Sequence, residues 1–469
     1  MPILFFLALF LYFAALVLAS IFFSRKMRNI EDFFLASRKL PFILVYSSLV
    51  ASWFGATSTL VSTDVAFHQG VSSFWVMGVP AVLTVLLLGI FLARPIRRLP
   101  MVSLPDLVER RYGRGVRHLA SVLIIWYMIL LASSQMVAAG RIFESLLGIW
   151  YVYGLLLGIA VVLFYSIFGG FFSVALTDGL QFVMLAGGII GLFLYLSPSS
   201  SLKEISMLAS HLGKEDYFNF FFDLKKNLLT VLSFTLAWTI SPIAWQRIQA
   251  ARTEKAARKG LFLSSGTFFI LYGILVFIGL YSLPLFFSRG WEGPILSGII
   301  SSKEDVFLGS FLLVAVVAAV MSTMDTAINT GALSLTRDIY QQLFSSAPQG
   351  KAVLASRIST LIVGASAFLV ATQFRSILKT LGLASEIMAE GLFIPGIAMI
   401  FLKKRFPLAG FLSLLMGGGF SVVSFLCEVR AFPLDLPAWP YSLPYGVGLG
   451  LFGFITGFMV DRYGRGKRD

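Results

Sequence analysis

The segment "VMSTMDTAINT", residues 320–330, places Ser322, Thr323, Asp325, Thr326, Asn329 and Thr330 inside an apolar run. "SFLLVAVVAAV" leads into it and "GALSL" follows. Hydroxyl, carboxyl and amide oxygens are the donors that small hard cations take. On a helix Ala319, Ser322 and Thr323 share a face, and Ser322, Asp325, Thr326 and Asn329 continue it at the same spacing. In lipid such a stripe must face protein or a water-lined cavity. Two readings compete. Small and hydroxyl residues let helices approach closely and hydrogen-bond across the contact, which accounts for the serine and threonines. A carboxylate at membrane depth is costly without a cation, so Asp325 favours a cation-binding face.

Other stretches add polar groups at similar depth. "FGGFFSVALTDGLQFVML" puts Asp178 a few residues into a helix, with Gln181 on the same face. Asp178 reads either as an acid stabilised by a helix N-terminus or as a second oxygen ligand. "YSSLVASWFGATSTLVSTD", residues 46–64, is apolar enough to span yet rich in Ser, Thr and Gly. Gly55 has low helix propensity, which predicts a break near Ser52–Ser58, and unwound backbone frees carbonyls for a cation. "FTLAWTISPIAWQR", residues 234–247, is its counterpart, since Pro242 disfavours helix at Ser241. Glu386 and Glu390 in "LASEIMAEGLFIPG" are two more acids. They either line a pathway that favours a cationic solute or mark the wet end of their helix.

The elements that position these groups follow from composition. Of 469 residues 58% are hydrophobic and 13% charged, with mean hydropathy +0.87. Soluble domains are nearer a quarter charged, so the chain belongs in lipid as many spanning helices. The net charge of +14 does not indicate nucleic acid, because the basic residues fall in short clusters between apolar runs. One cysteine, Cys427, excludes an intrachain disulfide, and His68, His118 and His211 are scattered without a metal motif. The N-terminal run lacks a basic lead and is followed by the positive cluster, so it reads as a retained helix rather than a signal peptide.

About thirteen runs of spanning length recur between residues 2 and 460. Alternate loops hold 26 of the 37 lysines and arginines, Arg247 counted among them, which predicts a cytoplasmic side, an outer N-terminus and a cytoplasmic C-terminus in a multi-pass plasma-membrane protein. "SLPDLVERRYG" and "RIQAARTEKAARKG" read as short amphipathic cytoplasmic helices. The longest extramembrane stretch is 197–226, and its "FNFFFDL" is expected to lie against the membrane. No segment is large enough to be a soluble enzyme domain.

The weakened helices open two blocks, 41–196 and 227–402, the pattern of an inverted-repeat secondary transporter. "GGFFSVALTDGLQ", "WQRIQAARTEKAARKG" and "AAVMSTMDT…SLTRDIY", in that order, resemble signatures of the sodium/solute symporter family, and "EDFFLASRKLP" resembles its entry to the first core helix. The likeness covers residues 31–405. It implies the all-α leucine-transporter fold: about ten core helices in two inverted halves of about five, the first and sixth broken, with extra helices in 1–40 and 403–469. It implies import of a small organic solute driven by Na+, with the lipid bilayer as surroundings. Carried over position by position, the main sodium site takes the carbonyls of Ala51, Phe54 and Ala319 and the hydroxyls of Ser322 and Thr323. A second cation or proton site matches Asp178, Asp325 and Thr326. Asp325 stands where many members have serine or alanine, so it either strengthens that site or holds a proton instead. Solute is expected beside the breaks, among Trp53, Gly55, Ala56, Ser58, Phe234, Trp238 and Ser241.

"ASWFGA" and "LARPIRRLPMVSLPDLVERRYG" are similar to the choline-transporting branch. On that likeness Trp53 and Trp238 form an aromatic cage for an organic cation, against the alternative of ordinary aromatic packing or a gate. Two other functions stay open: a proton-coupled symporter using Asp178 or Asp325, and a membrane sensor that needs a separate signalling chain.

Overall fold

The computed structural model describes residues 2–24, 35, 38–99, 101, 103–166, 171–287, 293–301, 306–344, 349–402 and 404–465. The apolar runs are helices, because a chain in lipid must satisfy its backbone N–H and C=O groups within each segment. In order they are α1 (Pro2–Ser24), α2 (Phe42–Trp53), α3 (Ala56–Gln69), α4 (Phe74–Leu87), α5 (Ala93–Arg98), α6 (Leu104–Tyr112), α7 (Arg114–Leu147), α8 (Tyr151–Ser166) and α9 (Phe171–Leu196). After α10 (Leu202–His211) come α11 (Leu224–Thr239), α12 (Pro242–Ala250), α13 (Glu254–Phe286), α14 (Ile295–Ser301), α15 (Val306–Leu333), α16 (Gln349–Ala371), α17 (Ile377–Glu386), α18 (Phe393–Phe401), α19 (Pro407–Ser413), α20 (Gly419–Glu428) and α21 (Leu443–Arg465).

Among the described residues nine helical stretches are long and apolar enough to cross a membrane, or ten with α11 and α12 taken as one bent span. The sequence led us to expect about thirteen. Three further apolar helices are described over shorter stretches, Phe6–Ala15 within α1, Phe42–Trp53 and Tyr151–Phe164. α2 is short because it is half of a broken helix. α7 and α15 form the centre. The most apolar window of α15 is 94% buried, against 28% for α21, so α21 keeps a lipid-facing side. α2 packs against α9, α13 and α15, while α7 packs against α8, α15, α16 and α17.

"SLPDLVERRYG" is the expected helix, α6. Ser103 caps it in a reciprocal box with Asp106, which satisfies two backbone donors. The other expected amphipathic helix is not one element. α12 ends at Ala250 and α13 restarts at Glu254, because the Thr253 hydroxyl accepts from Ala256 N at 3.0 Å and caps a new helix. Leu40 bridges the gap: its N–H donates to Ala250 O at 3.0 Å, and its carbonyl accepts from Arg252 N at 2.8 Å. In the 197–226 stretch Phe221 is 64% exposed, and Trp75 Nε1 donates to Phe220 O at 2.9 Å. The "GG" before α9 and most of "EDFFLASRKLP" lie outside the described residues.

Candidate functional site

Both predicted breaks are present. α2 stops at Phe54, whose φ of −93° and ψ of 56° leave the helical region, and α3 restarts after Gly55. α11 and α12 meet at Ile240–Ser241 with a 43° bend, and Pro242 opens the second piece. At the first break the need for glycine is steric. A Cβ at Gly55 would stand 2.2 Å from Thr323 Oγ1 and 3.1 Å from Gln135 Oε1. Thr323 therefore reaches into the break, where its hydroxyl donates to Ser52 O at 3.1 Å. On the other side Ser58 Oγ donates to Trp53 O at 2.8 Å, and Tyr272 OH donates to Ser58 at 2.9 Å. Ala51, Phe54, Ala319, Ser322 and Thr323 are all buried. Two sit in the last turn and break of α2, three on the facing stripe of α15.

Asp178 does not cap its helix; it lies eight residues into α9. Its Oδ1 accepts from Ser322 Oγ at 2.5 Å. Its Oδ2 accepts from Ser48 Oγ at 2.7 Å, Ser52 Oγ at 3.2 Å and the Arg247 guanidinium at 3.2 Å. Arg247 is itself fully buried and also donates to Ser48 at 3.0 Å, to Ser52, and to Thr326 Oγ1 at 3.5 Å. Asp325, 1% exposed, lies within electrostatic reach of the same guanidinium. Four helices, α2, α9, α12 and α15, thus meet on one carboxylate–guanidinium pair. This corrects the reading of Arg247 as a loop cation. The restart at Pro242 carries "WQR" inward on α12, and the loop's basic cluster begins at Arg252. Gln181 is separate from this group: its amide donates to Tyr12 OH of α1 at 2.7 Å.

The expected solute residues are mostly brought together. Trp53 and Trp238 have ring centroids 5.7 Å apart, Phe234 stacks on Trp238 at 4.9 Å, and Phe268 lies parallel to Trp53 at 6.3 Å. Ser58 is engaged with the break, and Ser241 lies beside the Tyr127 hydroxyl. Ala56 opens α3, and its side chain lies outside the described residues. Sequence reasoning missed Gln135, fully buried on α7. Its amide nitrogen donates to Thr57 Oγ1 at 3.1 Å, while its carbonyl oxygen, next to Gly55, has no hydrogen-bond partner among the described residues. The signal was available: Gln135 ends the polar triplet "SSQ" in a long apolar run.

Residues 33–418 match the model of the Sodium:solute symporter family. The chain belongs to that family. It is 27% identical over 434 residues to the osmoregulated proline transporter OpuE of Bacillus subtilis, covering 88% of this chain and 87% of that one. It is 24% identical over 484 residues to a sodium/proline symporter of Staphylococcus aureus, covering 96% and 89%. These relatives are proline transporters, so they give the likeness to the choline branch no support. Among solved structures, a Na+-coupled sialic acid symporter in a substrate-bound, outward-open state aligns with a TM-score of 0.79 at 18% identity, over 98% of this chain and 97% of that one. The nucleobase-cation-symport-1 transporter Mhp1, closed with a hydantoin bound, aligns at 0.57 with 14% identity, over 92% and 96%. The fold is that of the leucine-transporter class.

The protein is thus a multi-pass, sodium-coupled solute symporter rather than an enzyme. Polar ties flank its two breaks. On one side Arg38 donates to Gln249 at 3.0 Å and to Met101 O at 2.8 Å, and Arg97 donates to Ala251 O at 2.7 Å. Arg117 joins Asp338 at 2.7 Å and Asp106 at 3.1 Å, locking α7, α6 and the end of the α15 helix together. On the other side Ile295 N donates to Asp64 at 2.8 Å, and Lys214 donates to Phe67 O at 3.1 Å. Burial lowers the Lys214 pKa, since the charged form loses water. Alternating access requires one set to open while the other holds.

Proposed function

We propose that this symporter imports a small, compact solute of the amino-acid type, since its relatives are proline transporters. Sodium sits at the α2 break, on the carbonyls of Ala51, Phe54 and Ala319 and the hydroxyls of Ser322 and Thr323. The observation that carries this is the Thr323 hydroxyl lying on Ser52 O across the break. An arriving sodium draws Thr323 from that carbonyl and Ser322 from Asp178, and so fastens α2 to α15. Solute lies beside the break among Trp53, Gly55, Ala56, Ser58, Phe234, Trp238 and Ser241, with Gln135 as its buried polar contact. Asp178, Asp325 and Thr326 are the second cation position, and the Arg247 guanidinium neutralises it in the state described here.

The wider frame is about thirteen spans with an outer N-terminus and a cytoplasmic C-terminus. Residues 41–196 and 227–402 are the inverted halves, 197–226 is the outer loop, and 1–40 and 403–469 are additions. A quaternary-ammonium solute is a second reading. It is favoured by the ring faces of Trp53, Phe234 and Trp238, which attract cations. Uptake into proteoliposomes under a sodium gradient tests both. Proline accumulation that choline does not inhibit supports the first. Choline uptake with no proline uptake replaces it with the second. Uptake of either driven by a proton gradient without sodium sinks the assignment of sodium to Ser322 and Thr323.

A further inference from the structure

Glu386 and Glu390 take no part in the sodium or solute site. α17 runs into a widened π-turn, Ile387–Leu392, and both glutamates are fully buried. Such widened turns concentrate at functional positions. Glu386 accepts a hydrogen bond from Ser442, in the segment leading to α21, and faces Ser424 on α20. Among the described residues neither carboxylate oxygen of Glu390 has a hydrogen-bond partner.

The walls around Glu390 are glycine. A second π-turn, Leu414–Gly418, brings Gly417 so close that a Cβ there would stand 2.0 Å from Glu390 O. On α21 a Cβ at Gly446 would stand 2.1 Å from Glu390 Cδ, and one at Gly450 2.6 Å from Glu390 O. Gly446 thus leaves the room that the carboxylate fills, while Gly417 and Gly450 close on the backbone carbonyl of the same residue.

Among the described residues the charged group that bears on Glu390 is Glu386, of its own sign. Glu428 on α20 adds a further negative charge near Glu386 and is itself paired with Lys379 of α17. The Leu414–Gly418 turn has no titratable residue; α21 brings Tyr445, which is 59% exposed, and α7 brings Tyr127, which faces Ser241.

A buried carboxylate without partners is too costly to keep ionised, and two a helical turn apart repel. Positive charge has to enter the slot. A metal ion needs several oxygens and the volume to hold them. Among the described residues no group of three or more His, Cys, Asp or Glu offers a metal site, and Gly446 stands directly against the Glu390 carboxyl. A proton needs neither.

We infer that Glu390 is a proton-binding site, separate from the sodium site, in the slot between α17, the Leu414–Gly418 turn and α21. Ser442 and Glu386 form the relay to it. A proton delivered by hydronium is handed on through the Ser442 hydroxyl and the Glu386 carboxyl, each of which gains one O–H bond as it loses another. The net change is one O–H bond formed on Glu390 and one lost from hydronium, which is left as water. The segment that supplies Ser442 also supplies Trp439. Its indole donates to Ser233 at 3.0 Å, packs over Gly382 and lies 5.4 Å from the Phe234 ring. Proton occupancy is thereby tied to the aromatic cluster beside the solute position.

Infrared spectroscopy of the full-length protein in lipid tests this. The expected result at neutral pH is a protonated-carboxyl band that shifts in D2O, is lost in Glu390→Gln, and is the same in sodium and in potassium. Gln matches the neutral acid in shape, so the variant should fold; an unchanged melting temperature checks it. Ser442→Ala should keep the band and slow its exchange into D2O by about tenfold, the effect of losing one relay hydrogen bond. A spectrum identical in wild type and Glu390→Gln overturns the proposal. So does a band that disappears when sodium replaces potassium, since the slot would then hold sodium.

Discussion

Two buried acids in this protein meet the same membrane in opposite ways. Asp178 has a tethered cation, Arg247, and three serine hydroxyls pointed at its oxygens. Among the described residues Glu390 has no hydrogen-bond partner and a second acid for a neighbour. One helix, α12, was bent inward to supply the guanidinium; among the described residues the charge that bears on Glu390 is that of Glu386. The difference teaches what each region is built to exchange. Asp178 has its neutraliser covalently attached, so ions arriving nearby find a balancing charge already in place and move hydroxyls instead. Glu390 must take its neutraliser from solution.

The largest effect is expected from breaking the paired acid. Arg247→Met leaves Asp178 buried without its cation, which typically costs about 3–5 kcal/mol. A sharp drop in melting temperature in detergent should follow, and adding Asp178→Asn should restore much of it. If the double variant is no more stable than Arg247→Met alone, the two residues do not act as a pair.

Glycines on the two sides sharpen the contrast. Gly55→Ala drives a methyl into Thr323 Oγ1, and the branched Cβ of Thr323, 3.0 Å away, cannot swing clear. Gly446→Ala drives one into the Glu390 carboxyl. Overpacking of this kind costs about 1–3 kcal/mol, so stability alone will not separate them. The readouts should. Gly55→Ala should shift the sodium dependence of uptake and leave the carboxyl infrared band alone, while Gly446→Ala should do the reverse. The same phenotype from both would mean the two regions are one site.

Next in size is the sodium position itself. Ser322→Ala with Thr323→Ala removes two hydroxyl ligands, about 1.5–3 kcal/mol, or roughly tenfold to a hundredfold in the sodium needed for half-maximal uptake. Uptake with unchanged sodium dependence would move the cation elsewhere.

Much of this was legible in the sequence because it rests on local rules. Spacing put Ser322, Thr323, Asp325 and Thr326 on one stripe, Gly55 weakened one helix, and Pro242 stopped another; each of these acts within a turn or two. Three things were not legible. The partner of Asp178 stands 69 residues away at Arg247, and charge counting assigns an arginine near an apolar boundary to the loop. Gln135 meets Gly55 only through the crossing of α7 and α3. The glutamates left two readings open, and tertiary packing chose a third: they are buried, yet away from the aromatic cluster.

The smallest stability effect is expected where the environment is most hostile. Glu390→Gln replaces a group already held neutral with one of the same shape, so its two amide protons are the main change. The amide leaves buried donors unpaired, a cost of about 1–3 kcal/mol, and offsets this in part by removing the need to take up a proton. The net shift in melting temperature at neutral pH should therefore be slight. At alkaline pH, where wild-type Glu390 is stripped of its proton, the variant should be the more stable of the two. Asp178→Asn should show no such reversal, since the Arg247 guanidinium still stands beside that position, with Asp325 in its reach. A Glu390→Gln protein that is less stable than wild type at alkaline pH would mean that Glu390 works there as a charged group, and the contrast between the two acids would fall.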